Sequence, residues 1–218
     1  MDIRYDNMFD YISKKYKYKY LNFRPQYCLG TVATNYVDIS GVVVRKHKRV
    51  GRLAAYCEIE EIRKSGEINT IKVWNIPRSI MNGTRIRVIG RVKNFSFYTE
   101  DNRKKQISGV QASIVIKGSK KCNCVCFIGK IIRKYPLRHT PAGYRIMDMV
   151  IKVDGKEEIS TIAFDGVADK CVGNMNVGEM VWCKGLFLSR MYEKERLDGS
   201  IVRKCTTEVS IVYIEKLG

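Results

Sequence analysis

Eight cysteines, two histidines and 40 lysines and arginines are the groups in this 218-residue sequence that could do chemistry. Thiols could hold a metal, but Cys122, Cys124 and Cys126 alternate with Asn123 and Val125. That is strand spacing, which puts three side chains on one face. Zinc knuckles use C-x-x-C pairs, none of which occurs here, and neither His47 nor His139 neighbours a cysteine. The thiols therefore read as buried and reduced, with no disulfide framework, and no metal or cofactor is expected. Acid–base work has no support either, because the carboxylates are scattered or sit in turns. Gly173 and Gly178 have P-loop spacing, yet Glu179-Met180 stands where Lys-Ser/Thr would reach phosphate and magnesium. No enzymatic constellation remains. The basic groups are different: against 22 acidic residues they leave a net charge of +18, which favours a polyanionic partner, nucleic acid before membrane.

The elements that must carry these groups are short strands. Val37–Val44, Ala55–Glu61, Ile68–Val73 and Arg85–Val92 are rich in β-branched residues and separated by Gly, Asn or charged turns. A second series follows Gly118: Val125–Ile132, Ile146–Val153, Ile159–Phe164, Met180–Leu188 and Val202–Ile214, with a helical turn expected within Asp165–Cys171. Residues 1–36 stand apart as an aromatic and basic arm. Phe9, Ile12, Tyr16 and Tyr20 follow a helical spacing, although Tyr16 to Tyr20 also alternates like a strand. The arm either packs on the body or touches nucleic acid or a partner. Neither a signal peptide nor a run of 18 apolar residues is visible, so the expected place is the cytoplasm, in association with the nucleoid.

The two series read as one unit written twice. Each opens with an apolar strand, a glycine and a basic pair: Gly41 before Arg45-Lys46, Gly129 before Arg133-Lys134. Trp74 stands 33 positions after the first glycine and Phe164 stands 35 after the second. Further glycines follow at Gly90 and Gly185, then Tyr98 eight positions on and Tyr192 seven. About five strands per unit, with glycines where a strand must bend, predict an all-β chain of two tandem OB-fold barrels, 37–121 and 122–218. An SH3-like barrel is the structural alternative.

The second unit resembles the bacterial single-stranded DNA-binding protein family. The residues that carry this are Gly129 to Gly143 as first strand and loop, and Thr161-Ile162-Ala163-Phe164 as third strand. Asn176 to Gly185, then Tyr192, Asp198-Gly199 and Thr206-Thr207-Glu208-Val209, match the turn, long hairpin and last strand. In the first unit the likeness survives mainly as the repeat.

The resemblance implies sequence-tolerant single-stranded DNA binding in replication, recombination or repair. Phe164 and Tyr192 take places where the family stacks aromatics on bases, and Trp74 and Tyr98 take the same places in the first unit. Trp182 is expected in the core, and Tyr135 in the first loop is a lesser stacking candidate. Phosphates would meet Arg45, Lys46, Lys48, Arg49 and Arg52, then Arg103, Lys104 and Lys105, and in the second unit Arg133, Lys134 and Arg138. The three segments carry net charges of +3, +12 and +3, so the first unit should supply most of the electrostatics and the second most of the stacking.

By analogy with the family the chain should form a homodimer presenting four OB domains. The family's acidic tail is not seen after Ile214-Glu215-Lys216-Leu217-Gly218, which points to a specialised relative of a phage, plasmid or integrated element and away from tail-mediated recruitment. Two other readings stay open. One is a PriB-like or RNA-preferring adaptor that assembles replication proteins; the other is an OB protein using its barrel faces for protein contacts. A strand binder needs its aromatics on an open face; a scaffold would bury them.

Overall fold

The computed structural model describes residues 34–49, 55–63, 65–98, 104–118, 120–140, 142–195 and 199–217, without the side chains of 97, 98, 104, 105, 191–195 and 202–204. The expectations for residues 1–33 of the N-terminal arm, Arg52 and Arg103 lie outside the described residues, as do those for the side chains of Tyr98, Tyr192, Lys104 and Lys105. Asn35 and Tyr36, placed in the arm by the sequence, already belong to the first strand.

Alternation writes the first barrel. In β1 (Asn35–His47) Val37, Ile39 and Val43 point inward, and in β2 (Tyr56–Ile62) Cys57 and Ile59 do. In β3 (Ile68–Trp74) Ile71 and Val73 join them, and β4 (Arg85–Tyr98) adds Ile86, Val88 and Val92. The fifth strand, β5 (Lys104–Lys117), contributes Val110 and Ala112, and the sequence pattern does not announce it. β1 pairs with both β2 and β4, β2 with β3, and β4 with β5, all antiparallel; β3 and β5 then close the ring in parallel.

The second barrel repeats this order with β6 (Asn123–Lys134), β8 (Arg145–Val153), β9 (Glu157–Phe164), β10 (Met180–Glu195) and β11 (Ile201–Lys216). A two-residue strand, β7 (Arg138–His139), adds to β8, and helix α1 (Asp165–Asn174) links β9 to β10. Both rings are five-stranded OB folds, as the repeat predicts. Burial pushes the core thiols of Cys57 and Cys171 up to about 11, so both are protonated at neutral pH. The expectation of buried thiols does not extend to all of them. Cys122, Cys124 and Cys126 are half-buried, because Val125 takes the inward place of their strand, and Cys205 is exposed.

The barrels are fused into one 11-stranded sheet by the antiparallel pairing of β1 with β6. Val37 faces Val125, Asn35 faces Phe127 and Ile39 faces Asn123. The separation of Val37 from Val125 is 88 positions, the same as that of Gly41 from Gly129, so the two first strands meet about a pseudo-twofold axis. Side chains repeat the symmetry. Asn35 exchanges two hydrogen bonds with the backbone of Val92, and Asn123 does the same with Phe187. Asn94 binds Glu157 and Glu158 across the junction, while Ser189 meets Asn69 and Thr70 in the mirrored place. These junction groups thereby satisfy one another, which matters because a buried unpaired donor or acceptor costs about 1–3 kcal/mol.

Gly90 and Gly185 mark the same bulge in the fourth strand of each barrel. A Cβ at Gly90 would run into the carbonyl of Gln111, and one at Gly185 into that of Ser210. Glycine is required there by close strand approach, the bend that the sequence pattern anticipates. Gly185→Ala is expected to destabilise the fold by about 1–3 kcal/mol, read as a lowered denaturant midpoint. An unchanged midpoint would show that the bulge relaxes without cost.

Candidate nucleic-acid interface

In each barrel the second strand pairs with the end of the first strand and with the third. The ladder registers equate positions between the barrels. Ile59 pairs with Val43 and Ile71, and Ile151 pairs with Ile131 and Ile159, so β2–β3 superimposes on β8–β9 without ambiguity. Val73 then faces Val110 as Thr161 faces Val209.

This register corrects one expectation. Trp74 takes the place of Ile162, 33 positions after its own glycine, and not that of Phe164. In both barrels the third strand ends in a left-handed residue directly after the aromatic, Asn75 at φ 63° and Asp165 at φ 44°. The sequence pattern aligns these exit turns, whereas β9 is two ladder positions longer. Trp74 is also closed off, with 1% of its surface exposed, because Phe95 stacks on it and Gly109 lies against its ring. It is not an open platform. Phe164, at the end of β9, is 38% exposed on the outward face.

Trp74 instead belongs to a column of four rings that the sequence does not reveal. Phe95 lies 3.9 Å from Trp74 between ring centroids, Trp74 lies 5.3 Å from Tyr56, and His47 stacks on Tyr56 at 4.3 Å and 14°. His47, Tyr56 and Phe95 are partly open to solvent. Their spacing in the chain is wide and only barrel closure stacks them; the one signal in the sequence is that Tyr56 and Trp74 stand at strand ends. The Trp74 Nε1–H has no acceptor among the described residues. Trp182, expected in the core, lies on the opposite side of its strand from Val181 and Cys183 and is half-buried, 5.2 Å from Tyr213. The inward places of β10 go to those two neighbours.

The basic residues divide by context. Arg45, Lys46, Lys48 and Arg49 are exposed around His47, the outer ring of the column, with Lys46 Nζ donating to the Arg78 carbonyl at 3.2 Å. In the second barrel each predicted phosphate-binding residue is engaged by the protein. Arg133 pairs with Glu158 at 2.6 Å and Arg138 with Asp148 at 2.7 Å. Lys134 donates to the carbonyls of Val172 and Met175 at the end of α1, which gives it a structural task. Arg138 and Asp148 line a groove of about 590 Å³ together with Tyr135, Arg190, Thr206 and Glu208. Glu208 is 13% exposed, with Arg190 Nε 3.5 Å away, and burial raises its carboxyl above the ordinary range. Among the described residues no group of thiols, imidazoles and carboxylates could hold a metal ion.

Two five-stranded barrels joined through their first strands define the class, a tandem-OB fold. The wild-type single-stranded DNA binding protein from Thermus aquaticus has this fold at a TM-score of 0.62 and 16% identity, over 84% of this chain and 93% of that one. A deletion mutant of the same protein gives 0.60 at 16% identity, over 84% and 94%. No family model matches the sequence, and no curated protein matches it.

The two tryptophans provide a direct check. Trp74 should emit at short wavelength and resist acrylamide, while Trp182 should be readily quenched. Comparing Trp74→Phe with Trp182→Phe separates them; equal quenching of both would contradict the closed column.

Proposed function

We propose that the protein binds single-stranded nucleic acid, DNA first, without catalysis. The observation that carries this is the ring column of the first barrel with the basic run Arg45-Lys46-His47-Lys48-Arg49 at its open end. A polyanion drawn to this run meets His47, the outer ring of the column, with Tyr56 stacked behind it, and base stacking on such a ring is sequence-tolerant, contributing about 1–3 kcal/mol per base. The fold shared with the Thermus aquaticus protein, whose name states that activity, supports the same reading. The stacking role thus moves toward the first barrel, which also carries a net charge of +12 over residues 37–121. Phe164 offers one further exposed ring in the second.

Binding of labelled oligomers followed by anisotropy at several salt concentrations tests this. Single strands should bind tighter than duplex at moderate salt. Reversing Arg45, Lys46, Lys48 and Arg49 to Glu should flatten the salt slope by roughly 0.7 for each phosphate that is no longer neutralised. Tyr56→Ala should weaken binding roughly fivefold or more with little change of slope. Equal, wholly salt-governed binding of every polyanion would sink the stacking reading and favour an adaptor that uses the barrels for other purposes.

We further propose a homodimer presenting four barrels. It is supported by exposed Ile114, Ile116, Leu186 and Val212 on the outer sheet face. Light scattering should give twice the chain mass; a monomer would remove it.

A further inference from the structure

The registers equate the aromatic column residue by residue with the groove of the second barrel. His47 corresponds to Tyr135, both next to the Lys46↔Cys57 and Lys134↔Met149 pairs, and Tyr56 corresponds to Asp148. Trp74 corresponds to Ile162, and Gly109, one residue before Val110, corresponds to Glu208, one before Val209. Phe95 stands five residues after Gly90 as Arg190 stands five after Gly185. Where the first barrel fills its face with rings, the second has a shorter side chain at Ile162, a carboxylate at Asp148 and another at Glu208. The result is the open groove of about 590 Å³.

A phosphate backbone cannot run along that floor. Glu208 lies at depth, and Asp148 stands beside it with two Arg138 nitrogens on its Oδ2, at 2.9 and 2.7 Å. Ionised carboxylates only accept hydrogen bonds and so give a phosphate oxygen no donor; whatever enters is matched best by offering hydrogen-bond donors inward and keeping its phosphates at the arginine-lined rim. A nucleobase does this through its exocyclic amine, since a Glu or Asp carboxylate accepts from cytosine N4. Thr206 and Ser160 also line the groove, and their hydroxyls can either donate or accept beside it. Tyr135, 46% exposed at the rim, has a face on which a base can lie.

We infer that the groove of the second barrel takes an amino-bearing nucleobase, cytosine being the simplest, with Glu208 accepting from the exocyclic amine. This rests on the single-strand reading and adds to it a base preference that a stacking platform alone does not produce. One barrel holds the strand by its rings and charge, and the other selects among bases.

The test compares short labelled oligomers of deoxycytidine and deoxyuridine, which differ only along the edge that carries N4 in one and O4 in the other. Wild-type protein should bind the cytidine oligomer about tenfold tighter, the size expected for one good base contact. Glu208→Val should reduce the ratio to less than about twofold while binding of the uridine oligomer is kept or rises. Glu208→Gln, which retains an amide oxygen, should fall between, and it decides the matter if the valine variant does not fold. Equal binding of both oligomers by wild type, or an undiminished ratio in the variants, overturns the inference and leaves single-strand binding standing. If wild type binds neither oligomer, the single-strand reading itself falls.

Discussion

The constraint on which the rest depends is the antiparallel pairing of β1 with β6. A five-stranded OB ring still leaves an edge on its first strand, and an unpaired edge is a template for another strand. Here the two first strands satisfy one another in register, Val37 against Val125, and the chain becomes an internal dimer about a pseudo-dyad. Asparagines at the same place in both copies reinforce it: Asn35 and Asn123 each hold the backbone of a fourth strand beyond its bulge. The symmetry has a mechanical effect. It ties the fourth strand of each barrel to the opposite barrel, as the bonds from Asn94 N–H to Glu157 and from Ser189 N–H to Asn69 show.

A duplicated scaffold frees each copy to specialise. In the first barrel the face closes into a ring column: His47, Tyr56, Trp74 and Phe95 bury apolar area against one another and leave the column partly open at its ends. The corresponding positions of the second barrel hold Tyr135, Asp148, Ile162 and Arg190, and the same surface becomes a polar cleft with a carboxylate at its floor. Gly109 makes the difference reciprocal. A side chain there would collide with the Trp74 ring, whereas Glu208 in the matching place has no such ring above it.

Electrostatics follow the same division. In the second barrel the three cations expected at phosphate are engaged by the protein, Arg133 with Glu158, Arg138 with Asp148 and Lys134 with helix carbonyls. Such pairs at the surface contribute little stability, about 0–1 kcal/mol each, but they lower the field that the barrel shows to an approaching polyanion. The exposed run around His47 gathers positive charge in the first barrel, beside the rings. Charge that draws a strand in and rings that hold it therefore occupy one place.

The strands, the glycines of the bulges, the duplication and the basic excess over 37–121 are all legible in the sequence. Each of these is local: alternation reports which residues share a face, and a glycine reports a backbone that cannot carry a Cβ. The run of β5 escapes this reading because its central stretch, Ser108 to Ser113, mixes small and polar residues with a single valine, and a bulge breaks the alternation. The site is less legible. Spacing equates Trp74 with Phe164 because a shift of two residues preserves the face on a strand, so alternation cannot distinguish 33 positions from 35. Only the ladder register, set by pairing between strands distant in the chain, decides that Trp74 matches Ile162 and that Phe95 covers it. Trp182 is misread for a related reason, since an apolar strand does not announce which of its faces the barrel encloses. Burial of an aromatic and the facing of one carboxylate by another are properties of closure, and closure is a tertiary event.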